Sequence, residues 1–293
     1  MRLRIVLVTT IVTVLLAGCG GSGTSGKRLG LVASTNVYGD IAQQIGGRYV
    51  DVTSILNDPN ADPHLFEPGT SNGLAVAKAS VVIQNGVGYD AFMTKLENAA
   101  PSSRRHVLTI ADVLGVHGHD ANPHLWYDVP KLPEIARAIA GVLAHADPPH
   151  AAAYERGAAR FVASLAPLDR AVAAIRRAHA NTPVAYTEPV PGYLLSAAGL
   201  RNLSPSSFTR AIEDGTEPPP QAVATMNDLL THRAVKVLLY NRQAVSPITA
   251  RIRDAAVSAG VPVVGVSETL PAHLTFQQWK LEQVQELARS LGG

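Results

Sequence analysis

Short apolar runs alternate along this chain with stretches of helical spacing. Residues 29–35 (L-G-L-V-A-S-T) form a run rich in strand formers, and 36–45 then repeat apolar positions three and four apart until Gly46-Gly47 stops them. Residues 50–56 read as a second strand that ends in the turn-rich stretch 57–63. Residues 79–84 (A-S-V-V-I-Q) have the continuous apolar character of a buried parallel strand, 89–99 look helical, and 106–110 form a fourth strand. Residues 130–146 are again helical in pattern. The segment 149–180 is mostly Ala, Arg, Leu and Val and reads as one long helix, kinked at Pro167.

The alternation then restarts. Strands are expected over 183–187, 235–240 and 261–266, with helices from 193–198, 218–231, 246–259 and 275–291. Strands separated by helices predict parallel, doubly wound sheets. The fold class is therefore α/β, with two lobes, each a mostly parallel sheet flanked by helices, joined by one long helix. The lobes are assigned to 29–146 and 181–293 and the connecting helix to 147–180.

The first residues do not belong to that pattern. Arg2 and Arg4 precede an apolar stretch over 5–16 and then small residues, the layout of an export signal. L-A-G-C, ending at Cys19, resembles the lipobox of bacterial lipoproteins, in which cleavage precedes a cysteine that is then lipidated. That divides the start of the chain into a signal peptide, 1–18, and a lipidated flexible tether, 19–28. Cys19 is the only cysteine, so no internal disulfide forms. Removing the leader takes away Arg2 and Arg4 and no acid, leaving 23 basic and 23 acidic residues. No basic patch stands out, which argues against nucleic acid as a partner; lipid rather than charge is expected to hold the protein to a membrane.

A short motif occurs twice. Residues 62–68 read D-P-H-L-F-E-P and 122–129 read N-P-H-L-W-Y-D-V. Each proline biases its predecessor away from helix, so His64 and His124 fall on loops, where α/β proteins hold ligands. Two loop histidines in matched surroundings point to one shared metal. Glu188 and Glu268 stand just past apolar strands in A-Y-T-E-P and V-V-G-V-S-E-T, at the ligand edge expected of such sheets. Glu188 has a competing reading as a helix cap or first-turn acid ahead of Pro189. Two imidazoles and two carboxylates, with no thiolate, suit a first-row dication, and the two acids neutralise its charge. Asp128 is either an acceptor that orients a ligand histidine or the cap of the helix that begins near Pro130.

The chain resembles the metal-binding substrate-binding proteins of bacterial ABC transporters for zinc and manganese. The resemblance covers nearly all of the mature chain and rests on both histidine motifs, on T-E-P-V-P-G-Y from Thr187 and on E-D-G-T-E-P-P-P from Glu213. It implies that His64, His124, Glu188 and Glu268 are the metal ligands, although relatives often carry Asp at the last position. Where many relatives have a phenylalanine-acid pair after a strand, this chain has Tyr240-Asn241. The resemblance implies a monomer anchored by lipid to the outer face of the bacterial cell membrane. It would capture Zn²⁺ or Mn²⁺ between its lobes as cargo and pass it to a membrane permease, and it would not be an enzyme. Long His-rich loops of zinc-specific relatives shrink here to H-G-H-D, so His117 and His119 either collect metal or sit on a solvated turn. The long helix should limit the lobes to small tilts. Two other classes compete: a secreted metallohydrolase with an open zinc position, which lacks an H-E-x-x-H here, and a surface adhesin with a structural metal.

Overall fold

The computed structural model describes residues 28–60, 63–118 and 120–292, with His64 in its main chain alone; the leader and Cys19 lie outside the described residues. The first lobe comprises β1 (Leu29–Thr35), α1 (Asn36–Gly46), β2 (Val50–Leu56), α2 (Thr70–Lys78), β3 (Val81–Gln84), α3 (Ala91–Ala99), β4 (His106–Thr109), α4 (Ile110–Leu114) and α5 (Leu132–Ala146). Its strands pair in parallel in the order β2-β1-β3-β4. Parallel pairing needs a crossover between strands, and the helices supply it while covering the faces. That explains why β1 and β3 read as apolar runs rather than as alternating ones.

Two helices lead to the second lobe: α6 (Ala151–Ser164) and α7 (Ala166–His179). The single long helix expected over 149–180 is thus broken, and at Leu165 rather than at Pro167. Proline lacks an N–H and its ring crowds the carbonyl four residues back, here Ala163. The Leu165 N–H turns instead to the Ala163 and Val162 carbonyls, so the strain is taken up two residues ahead of the proline.

The second lobe comprises β5 (Pro183–Tyr186), α8 (Gly192–Ala197), β6 (Arg201–Asn202), α9 (Ser206–Glu213), α10 (Pro220–Thr231), β7 (Leu238–Asn241), α11 (Pro247–Ala259), β8 (Val263–Val266) and α12 (Phe276–Leu291). Its sheet is again parallel, in the order β6-β5-β7-β8. α12 follows a capping box between Thr275 and Gln278 and crosses back to α1, where Asp40 accepts from the Phe276 N–H at 3.0 Å.

The lobes share one hydrophobic core. Tyr38, Trp126 and Tyr127 of the first belong to the same buried cluster as Val264, Phe276 and Trp279 of the second. Polar ties accompany it. Asn36 and the Leu270 main chain exchange a pair of 2.8 Å hydrogen bonds, and Gln243 Nε2 donates to Pro59 O at 3.1 Å. A continuous core of this kind resists wide opening because separating the lobes would expose apolar surface. Among the described residues, no helix is long and apolar enough to cross a membrane.

One glycine is required by packing. A Cβ on Gly157 of α6 would stand 2.1 Å from the Ile45 carbonyl oxygen, so α1 and α6 meet backbone to backbone there. Gly157→Ala is expected to cost about 1–3 kcal/mol, read as a lower midpoint in denaturant; an unchanged midpoint would show that the helices part freely.

Candidate metal centre

The carboxyl ends of both sheets face the contact between the lobes, and the candidate ligands sit on the loops that leave those ends. His124 precedes the short 3-10 turn Leu125–Tyr127 and is fully buried. Its orientation comes from the amide ahead of the proline. Asn122 Oδ1 lies 2.7 Å from His124 Nδ1 and also accepts from the His124 main-chain N–H at 3.0 Å. Asn122 Nδ2 donates to Pro189 O of the other lobe at 2.7 Å, and Tyr193 donates its hydroxyl proton to Asn122 O. An imidazole whose Nδ1–H is given to an amide oxygen presents Nε2 as its lone-pair nitrogen. Asp128 does not hold this ring. Its carboxyl lies by the Lys131 main chain, at the turn leading into α5, where burial raises its pKa and Lys131 lowers it. Asn122 is the acceptor beside the ring, while Asp128 stands ahead of the 3-10 turn Val129–Lys131 without a side-chain cap hydrogen bond.

Glu188 and Glu268 reach the same spot from β5 and β8, and both are almost fully buried. Glu188 is not the helix cap that its sequence allowed, because α8 begins only at Gly192 and follows Pro191. Glu268 Oε2 stands 3.2 Å from His124 Nε2. The residue that joins the set is Asn241, the last of β7. Its Nδ2 donates to Glu188 Oε2 and, at 2.8 Å, to Glu268 Oε1. Its Oδ1 accepts from the Gln243 N–H, and Gln243 Oε1 accepts in turn from the Glu268 N–H at 2.5 Å. The amide therefore supplies partial positive charge to both carboxylates at once. His64 lies in the 3-10 turn Pro63–Leu65 beyond β2, and its side chain is outside the described residues. Among the described residues no three His, Cys, Asp or Glu groups form a finished metal cage; two carboxylates converge on the Asn241 amide, and one of them faces the His124 imidazole.

The walls are aromatic. The rings of Tyr89 and Trp126 stand 5.8 and 5.4 Å from His124, both edge-on. Burial pushes the Tyr89 phenol well above its ordinary pKa, and the nearby Glu268 carboxylate adds to the push. Phe66 packs instead on Phe92, outside the shared core. A cleft of about 680 Å³ opens beside the site, bounded by Asn122, Pro123, Tyr186, Pro189 and Glu213. Glu213, the first residue of the acid-proline motif, lies 3.9 Å from His124 Nδ1. Across the cleft mouth, Arg210 of the second lobe pairs with Asp120 of the first. His117 is exposed, and His119 lies outside the described residues.

Reasoning from sequence missed Asn241. The signal was present, because the rule that selects Glu188 and Glu268, a polar residue at the carboxyl end of an apolar strand, selects Asn241 equally. In the Tyr240-Asn241 pair, where many relatives carry an acid, Asn241 touches two of the candidates.

Fold and site together define a two-lobed α/β binding protein whose buried imidazole and carboxylates meet where the lobes touch. The chain belongs to the family described as the periplasmic component A of the zinc-uptake complex, ZnuA, which matches residues 31–290. It is 30% identical over 168 residues to the manganese-binding lipoprotein MntA of Halalkalibacterium halodurans, an alignment that takes in 55% of this chain and 56% of that protein. It is 26% identical to the manganese ABC transporter substrate-binding lipoprotein PsaA of Streptococcus anginosus, over 81% of each. Among solved structures it is similar to FpvC of Pseudomonas aeruginosa in complex with Mn²⁺. There the TM-score is 0.77 at 22% identity, over 91% of this chain and 99% of that one. These neighbours agree in fold with the two parallel-sheet lobes described above.

Proposed function

We propose that this protein captures a divalent first-row cation, Zn²⁺ or Mn²⁺, outside the cytoplasm and delivers it to an ABC permease. The observation that carries the reading is the Asn241 amide shared between Glu188 and Glu268 beside His124 Nε2. Buried carboxylates are costly without a compensating charge, and a dication supplies what the amide only approximates. The ligands are His124, Glu188, Glu268 and His64. Imidazole nitrogen with carboxylate oxygen suits both metals, and selectivity between them then depends on geometry and supply. The relatives named above as lipoproteins support anchoring through Cys19, with the ion passed on as cargo rather than used in catalysis. The shared core supports small lobe tilts on loading.

Calorimetric titration of the demetallated protein with Zn²⁺ and with Mn²⁺ tests this reading. One ion is expected per chain, with competition between the two metals ranking them. Unfolding should shift upward in temperature, because a ligand at a thousand times its Kd adds about 4 kcal/mol to the native state. No binding of either ion would overturn the reading.

A further inference from the structure

The strands of the first lobe are all parallel, so they start on one edge, the edge away from the metal centre. Basic residues recur at those starts. Arg28 stands ahead of β1 and Arg48 ahead of β2; Lys78 ends α2 just before β3; Arg104 and Arg105 lead into β4. They form no run in the sequence, and the topology alone collects them. Arg28, Lys78 and Arg104 surround an open hollow of about 880 Å³ whose acids are Asp51 and Asp147.

Some of these charges are engaged within the lobe. Asp147 accepts the Tyr154 hydroxyl proton at 2.5 Å and stands 2.7 Å from His150 Nδ1. Arg105 donates to Ala100 O at 2.7 Å, and the Arg48 guanidinium lies over the Tyr49 ring. Arg28, Lys78 and Arg104 are exposed, and none forms an ion pair among the described residues. What the edge shows to solvent is therefore three cations and the exposed Asp51. The start of the chain leads to the same place. Nine positions separate Cys19 from Arg28, at most about 30 Å of extended chain. A lipid on Cys19 keeps the edge within that distance of the bilayer.

We propose that this edge docks on an anionic phospholipid surface, with Arg28, Lys78 and Arg104 among the headgroup phosphates. The inference rests on the reading of Cys19 as the lipid anchor. Charge complementarity favours a bilayer, because a broad surface of phosphates meets all three cations at once. Each contact is weak alone, but the anchor makes docking an intramolecular event with a high effective concentration. In this posture the carboxyl ends of β1–β4, and the metal centre with them, point away from the membrane toward the medium that supplies the ion.

Flotation with vesicles tests the proposal on the chain from Gly20 onward, which lacks leader and lipid. Every described element lies within 28–292, so this form keeps the whole fold, and melting curves check it. Wild type is expected to float with phosphatidylcholine vesicles that contain phosphatidylglycerol, not with phosphatidylcholine alone, and to detach as salt screens the contact. Each cation contributes roughly fivefold, so Arg28→Gln, Lys78→Gln and Arg104→Gln combined should lower partitioning roughly a hundredfold. Asp51→Asn should raise it. Arg104→Glu, one exposed change, should lower it by itself, which keeps the test open if the triple variant does not fold. A merely structural role, such as Lys78 offsetting the dipole at the end of α2, predicts a lower melting temperature and no preference among vesicles. Equal flotation with neutral vesicles, no flotation at all, or undiminished binding by the folded variants would overturn the proposal. Fatty-acid labelling of the full chain against Cys19→Ser reads the premise separately. If Cys19 takes up no label, premise and proposal fall together; if it is labelled while the vesicle arms fail, the proposal alone falls.

Discussion

Glu268→Gln is expected to lower metal affinity at least roughly a hundredfold and to remove most of the metal-induced rise in melting temperature. The side chain is buried, lies 3.2 Å from His124 Nε2 and shares the Asn241 amide with Glu188. Glutamine keeps the shape and a carbonyl oxygen in place, so the variant isolates charge. With one carboxylate gone, a dication would bring uncompensated positive charge into a buried site. Calorimetry on the demetallated variant, with melting curves in the presence and absence of Zn²⁺ or Mn²⁺, measures both effects. Retention of the wild-type Kd would remove Glu268 from the ligand set and leave the centre with an open position.

The sequence carried the parts of this site that obey simple rules. β1 and β2 were legible to the residue, β1 as a short, mostly apolar run and β2 as a V-D-V-T-S-I-L stretch rich in β-branched side chains that ends at a turn-rich segment. The repeated motif singled out His124, and their places past apolar strands singled out Glu188 and Glu268; the structure brings the three side chains together. Elements with weak local signals were not legible. α2 (T-S-N-G-L-A-V-A-K) buries only Val76 and contains Gly73, so its apolar period is faint. β6 has two residues, and α9 is a short helix inside what reads as a loop. Tertiary context hid the rest. W-K-L-E-Q in α12 has the composition of a solvated helix face, and only the packing of Tyr127 and Trp279 shows that Lys280 points inward. The part played by Asn122 was hidden in the same way, because an amide ahead of Pro-His gains its meaning only when its oxygen meets the ring it precedes and its nitrogen meets the opposite lobe.

Asn241→Leu should produce the largest loss of stability in the metal-free protein. Leucine matches asparagine in size and leaves Glu188 Oε2 and Glu268 Oε1 without their shared donor, and Gln243 without the acceptor for its N–H. Breaking a buried, charge-assisted hydrogen bond costs more than breaking a neutral one, because the carboxylate cannot recover its hydration. The loss is expected to be about 2–4 kcal/mol, which for a chain of this size lowers the melting temperature by roughly 5–10 °C. Metal should restore most of it. The ion brings to both carboxylates the positive charge that the amide had supplied, so the gap between metal-free and loaded melting temperatures widens relative to wild type. The same substitution in a protein whose amide merely packed would lower both temperatures equally. Parallel melting curves with and without metal separate the two cases, and equal lowering would show that Asn241 is not standing where the cation acts.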